Sequence, residues 1–196
     1  MTEISRRDFI ATSTLAGAGV FVSPVLQASR GDGSRKRIAH VGTGSRARFY
    51  RGAIVGEYSQ YAEYVGFCDN NPGRLQLFQD KVQEATGVLV PSFDAADFDR
   101  MITETRPDVV IVTTVDSTHS DYIVRAMELG CDVITEKPMT TDAAKCQAII
   151  DTQKRTGRRC TVGFNYRYSP PRTQVKELLM EGTIGDVLSV DFHWML

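Results

Sequence analysis

A doubly wound parallel α/β sheet is the fold class that this sequence predicts, and three observations carry it. Short, nearly continuous apolar runs recur along the chain at Arg37–Val41, Tyr64–Cys68, Asp108–Thr114, Cys131–Glu136 and Cys160–Phe164. Segments with helical periodicity separate them, as expected of strands buried on both faces and joined by crossover helices. The first run passes directly into Gly42-Thr43-Gly44-Ser45-Arg46-Ala47, a strand-to-helix loop that lets backbone approach a phosphate.

The bulk numbers narrow the classes of function. With 196 residues, 42% hydrophobic and 24% charged, the chain has room for one globular domain and part of another. A net charge of −1 gives no electrostatic footprint for nucleic acid or an acidic membrane. Cys68, Cys131, Cys146 and Cys160 form no C-x-x-C pair, and the histidines do not cluster, so no metal site is expected. Cys68, Cys131 and Cys160 sit in apolar runs, where a cysteine serves as a small buried hydrophobe.

The N-terminus reads as an address. Ser5-Arg6-Arg7-Asp8-Phe9-Ile10 precedes an uncharged, weakly apolar run from Ala11 to Leu26, the form of a twin-arginine signal. Residues 1–28 are therefore expected to engage the twin-arginine translocation machinery, with cleavage after Ala28 and delivery to the periplasm or beyond. The run is too short and mild for a membrane span of about 20 apolar residues; the alternative is an amphipathic helix that stays attached. Residues 29–36 read as a polar linker.

In the first strand and loop, Gly42 permits the tight turn, Gly44 admits a pyrophosphate and Ala47 lets the helix pack closely. Thr43, Ser45 and Arg46 complete the phosphate-facing loop, and Arg46, Arg48 and Arg51 are cofactor-facing or solvated. The second strand ends in Asp69, a carboxylate placed to accept both adenosine ribose hydroxyls, which favours NAD over NADP. Its 27-position separation from Gly42 exceeds the usual ~20, so an enlarged helix or loop is expected over Arg51–Tyr61. Asp69-Asn70-Asn71-Pro72-Gly73 also has the chemistry of a turn, and Arg74 could instead hold the 2′-phosphate of NADP.

Next come a helix through Phe98, Met101 and Ile102, the strand Asp108–Thr114, and a helix with Ile123, Met127 and Leu129 on its apolar face, stopped at Gly130. His119 lies just past the strand end, where its ring could pack on nicotinamide or ribose, or cap the next helix. His40 reads as a satisfied core histidine, and His193 has no nameable partner. The strand Cys131–Glu136 then delivers Lys137 at its carboxyl end, the edge at which open α/β sheets bind ligands. Pro138 stops the strand and presents that side chain. Partly desolvated beside an oxidised nicotinamide, such an ammonium should have a lowered pKa and move protons near neutral pH. A helix from the N-cap Asp142 to Lys154, closed near Gly157, leads to the last parallel strand at Cys160.

Together, Gly42-Thr43-Gly44, Asp69, Thr114 through His119, Glu136-Lys137-Pro138, Asn165-Tyr166-Arg167-Tyr168-Ser169-Pro170 and Gly182-Thr183-Ile184-Gly185-Asp186-Val187 resemble the Gfo/Idh/MocA family from about Lys36 to the chain end. The resemblance implies a Rossmann domain over 37–164 that binds NAD, with NADP not excluded. It implies that Glu136 holds the nicotinamide ribose, and that Lys137 contacts that ribose and the substrate hydroxyl and assists proton transfer. Thr114, His119, Asn165 and Arg167 would join the cofactor site. The family often has Thr-Pro-Asn before its histidine; this chain has Thr114-Val115-Asp116.

Residues 165–196 then read as the start of a truncated substrate-binding domain: a linking helix over Pro170–Glu181 and an alternating strand over Val187–Trp194. The leading function implied is an exported NAD(P)-dependent oxidoreductase acting on a sugar or cyclitol hydroxyl, homo-oligomeric in full-length form. The alternatives are a glycoside hydrolase that transiently oxidises its sugar with bound NAD, and a noncatalytic nucleotide-binding fragment.

Overall fold

The computed structural model describes residues 35–193; the expected signal and most of the linker, and Trp194, lie outside them. The elements are β1 (Lys36–Val41), α1 (Ala47–Val55), β2 (Ala62–Asp69), α2 (Pro72–Thr86), β3 (Ser92–Asp94), α3 (Phe98–Thr105), β4 (Val109–Val112), α4 (His119–Glu128), β5 (Asp132–Glu136), α5 (Ala143–Thr156), β6 (Cys160–Gly163) and α6 (Pro170–Met180). The strands pair in parallel in the order β3-β2-β1-β4-β5-β6. The chain moves outward from β1 to β3 and then returns to the other side of β1. That reversal opens a crevice beyond the carboxyl ends of β1 and β4.

Period-2 alternation distributes each strand between two cores. Ala39, Val41, Val110 and Val112 pack on one face with Phe98, Met101, Ile102, Ile123, Met127 and Ile149, from α3, α4 and α5. Ile38, Phe67 and Ile111 pack on the other with Ala47, Ile54, Leu75, Phe78 and Val82, from α1 and α2. Each fully buried large side chain contributes about 1.5–3 kcal/mol, so the sheet is held from both sides. Asp142 caps α5 as expected, its side chain accepting from the Lys145 amide at 2.8 Å. Cys68 and Cys131 are buried free thiols, pushed up by burial to about 12 and about 11, in keeping with a packing role. Among the described residues no helix is long and apolar enough to cross a membrane.

One expectation is extended and another needs correction. The turn read at Asp69–Gly73 is present, the Asn71 amide donating to Asp69 Oδ1 at 2.8 Å, and it leads straight into a 15-residue helix: Asn71 accepts from the Arg74 amide at 3.0 Å and Pro72 takes the first helical position. The alternation over 187–193 does not make a strand; those residues are exposed and without secondary structure. An isolated strand has no ladder partner to satisfy its backbone, and pattern alone cannot supply one.

A buried polar chain ties three strands behind the glycine loop. His40, in β1, is fully buried; its Nδ1 lies 3.3 Å from the Tyr64 hydroxyl and its Nε2 lies 2.9 Å from Thr113 Oγ1. Thr113 in turn donates to the Gly42 carbonyl at 2.5 Å. Because that hydroxyl has one proton, it accepts from His40 Nε2–H, which leaves Nδ1 to accept from Tyr64. Burial pushes the Tyr64 phenol up, so it remains a donor. Burial likewise lowers the His40 pKa to about 3, against a smaller opposing influence of Asp69.

The sign of the pH effect follows. Below about pH 6.5 the unfolded imidazole takes a proton that the folded one refuses until about pH 3, so stability falls as pH drops through that window. The contribution is about 1.4 kcal/mol per pH unit. Urea unfolding from pH 7.5 to pH 4 should show a shallower acid loss in His40→Gln than in the parent chain; equal slopes would contradict the assignment.

Candidate functional site

The glycine loop is built from a backbone that only glycine allows. Gly42 has φ +84°, and a Cβ there would lie 2.6 Å from the Thr113 carbonyl carbon and the Thr114 nitrogen. Gly44 differs: a Cβ at that position would meet nothing within 4 Å. The protein does not use that space, and Gly44 lines hollows of about 220 Å³ on both sides of the loop. This is the opening a pyrophosphate requires, and a side chain there would fill it. Ala47 is fully buried, as close packing of α1 on β1 demands. No side chain caps the N-terminus of α1; the Arg48 and Phe49 amides donate instead to the Ser45 and Arg46 carbonyls at 3.3 and 3.2 Å, long bonds that leave the positive end of the helix facing the loop.

Asp69 ends β2 inside the hollow that also borders Gly44 and Arg74. Its Oδ2 accepts from the Thr43 amide at 2.5 Å and the Thr43 hydroxyl at 2.8 Å, while Oδ1 accepts from the Asn71 amide at 2.8 Å. A carboxylate has about four acceptor positions, so most are occupied in shaping the loop and the start of α2. The ribose and turn readings therefore describe one group. Ser45 accepts from Arg48 Nη2 at 2.8 Å, and Arg48, Arg51 and Arg74 surround the outer hollow.

At the other end of the crevice, a cavity of about 850 Å³ brings Arg46, Thr114, His119, Glu136, Lys137, Asn165 and Arg167 together. These positions span more than a hundred residues of sequence, and each is a site residue that the sequence predicts. Thr113, Asp116, Phe164 and Tyr166 complete the lining. β5 stops at Glu136, as the following proline leads one to expect. Lys137 is solvent-exposed, standing beyond the sheet edge where its own strand no longer covers it; the partial desolvation expected of it is one that a nicotinamide beside it would supply.

Glu136 is buried, with 5% exposure. Its Oε1 accepts from the Tyr50 hydroxyl at 2.8 Å and lies 2.7 Å from Arg46 Nε; its Oε2 faces the Lys137 amide at 3.3 Å. Arg46 Nε makes no well-aligned hydrogen bond despite that short separation, so Arg46 supplies charge and Tyr50 supplies direction. His119, 1% exposed, has Nδ1 2.8 Å from the Pro138 carbonyl and Nε2 3.2 Å from the Thr114 carbonyl. A neutral imidazole has one N–H, so the ring donates to one of these carbonyls and packs against the other, between the loop after β4 and the one after β5. Sequence reasoning missed Tyr50, because nothing local marks a partner 86 positions away. Among the described residues there is no group of three or more His, Cys, Asp or Glu side chains able to hold a metal ion.

Comparison with known proteins agrees with this geometry. Residues 36–164 match the GFO_IDH_MocA family, described as an oxidoreductase family with an NAD-binding Rossmann fold. An inositol 2-dehydrogenase/D-chiro-inositol 3-dehydrogenase from Lactiplantibacillus plantarum is 31% identical over 130 residues, covering 66% of this chain and 35% of that protein. Glycosyl hydrolase family 109 protein 1 from Akkermansia muciniphila is 30% identical over 154 residues, covering 78% of this chain and 32% of that protein. The WlbA dehydrogenase from Bordetella pertussis, solved with NADH and UDP-GlcNAcA, superposes with a TM-score of 0.65 at 26% identity, over 76% of this chain and 43% of that one. The chain thus spans roughly a third of the length of the curated relatives it matches. A glycine loop open at Gly44, the parallel sheet order and the family match over 36–164 lead to one conclusion: the chain belongs to the Gfo/Idh/MocA oxidoreductase family and carries its NAD-binding Rossmann domain.

Proposed function

We propose that this chain is the NAD-binding part of an oxidoreductase acting on a secondary hydroxyl of a sugar or cyclitol. The observation that carries the reading is the cavity shared by Glu136, Lys137 and the loop after β4, at the carboxyl edge of the sheet, which has Thr113 and Thr114 in common with the hollow beside Gly42 and Gly44. NAD, when bound, supplies the hydride acceptor. Gly44 gives room for the pyrophosphate, Asp69 offers its remaining acceptor position to the adenosine ribose, and Arg46 brings positive charge near the loop. Glu136 presents Oε2 towards the nicotinamide ribose, and Lys137 accepts or relays the proton of the substrate hydroxyl. His119 holds Thr114 and Pro138 around that end of the site, while Asn165 and Arg167 form its outer wall.

A second reading, glycoside cleavage through transient oxidation of a sugar carbon, is favoured by the similarity to the Akkermansia glycosyl hydrolase. The two differ in net redox change. In a protein joining this chain to a substrate domain of its relatives' size, a dehydrogenase should form NADH in proportion to inositol or sugar consumed. A hydrolase should release nitrophenol from a nitrophenyl glycoside with no net NADH. Lys137→Ala should lower kcat/KM at least 100-fold in either case; unchanged turnover would remove Lys137 from the proton chemistry.

We further infer export by the twin-arginine route, from Arg6-Arg7 and the mild apolar run after them. A reporter fused after Ala28 should reach the periplasm and stay in the cytoplasm when both arginines become lysine; indifference to that change would contradict export.

A further inference from the structure

We propose that Tyr50 is a positioning residue for the nicotinamide-ribose end of the site, fixing which oxygen of Glu136 faces the cavity. The proposal rests on the dinucleotide reading above and goes beyond it by assigning a role to a residue outside the glycine and Glu-Lys-Pro motifs.

Three elements converge on one carboxylate. Tyr50 reaches from α1 to donate to Glu136 Oε1 at 2.8 Å, and Glu136 is the last residue of β5. Gly163, at the end of β6, pairs in register with Glu136. A Cβ at Gly163 would lie 2.8 Å from the Tyr50 hydroxyl and 3.3 Å from Oε1. The missing side chain at 163 is therefore the space that the Tyr50 hydroxyl occupies.

The chemistry separates Tyr50 from Arg46. A buried carboxylate needs both charge compensation and directed donors. Arg46 stands 2.7 Å from Oε1 but without a well-aligned N–H, so it lowers the cost of the charge without setting the orientation of the group. Tyr50 supplies the aligned donor, and with Oε1 so engaged Oε2 is left on the side of the Lys137 amide. The Tyr50 ring is itself held edge-on by His40 and Phe49, with centroids 6.0 and 5.5 Å apart. Burial, and then Glu136, push the Tyr50 phenol up, against a smaller effect of Arg46, so the hydroxyl keeps its proton across the working pH range.

The test compares NADH with ADP, which lacks the nicotinamide ribose. Fluorescence titration of NADH, and competition by ADP, are measured on the parent chain, Tyr50→Phe and Gly163→Ala. Tyr50→Phe keeps the ring and removes one donor; Gly163→Ala keeps the donor and displaces it. Both should raise the NADH Kd about 5- to 10-fold and change the ADP Kd less than twofold. In a Glu136→Gln background, Tyr50→Phe should cause less than a further twofold loss. Equal losses for NADH and ADP, no loss for NADH, or full additivity with Glu136→Gln would each overturn the role of Tyr50 while leaving the site reading intact. A parent chain that bound neither nucleotide would overturn the site reading, and this proposal with it.

Discussion

The approach of the Gly42 turn to the end of β4 is the constraint on which the rest of the structure depends. At that point the sheet divides, one half running outward through β2 and β3 and the other through β4, β5 and β6. The turn can sit against Thr113 because residue 42 has no Cβ, and it stays there because Thr113 donates to its carbonyl. His40 fixes the Thr113 hydroxyl from inside the sheet, and Tyr64 fixes His40. A polar chain with every member satisfied can specify a single arrangement, whereas one unsatisfied member in so buried a place would destabilise it. Asp69 completes the frame from β2 by holding Thr43 through both its amide and its hydroxyl.

From that frame, α1 connects the two ends of the crevice. It begins beside the phosphate-facing loop and, one turn later, places Tyr50 against Glu136. The same short helix therefore turns its positive end towards the phosphate-facing loop and carries the donor that orients the carboxylate next to Lys137. His119 performs a comparable task from α4, its ring lodged between the Thr114 and Pro138 carbonyls and donating to one of them. Buried residues around the crevice, Thr113, His119 and Glu136, thus act on backbone and carboxylate geometry, while Lys137, Asn165 and Arg167 stand exposed in the cavity. That division would suit the hydride transfer proposed above, in which the reacting carbon must be held close to its acceptor and orientation contributes much of the rate.

What was legible in the sequence was local or periodic. The strand-glycine-helix unit, the strand ending at Glu136 and the Asp142 cap each follow from chemistry within a few residues, and all are present. Asn71, Pro72 and Gly87 are start and stop signals of α2 by the same logic, but the run Asp69–Gly73 also carries turn chemistry, which masks the helix start. β3 has only three residues, too few for alternation to register. The Tyr50–Glu136 and His40–Thr113 contacts join positions 86 and 73 apart, and no local pattern encodes a tertiary partner. Residues 187–193 show the converse: they alternate as a strand would and yet form none, because a strand is defined by a neighbour.

The most direct measurement is a crystal structure of this chain with NADH. The account predicts the adenosine ribose against Asp69, the pyrophosphate over Gly44, and the nicotinamide ribose on Glu136 Oε2 with Tyr50 still on Oε1. A nucleotide bound away from Gly44, or a Glu136 side chain turned so that Tyr50 no longer donates to it, would contradict the account at its centre.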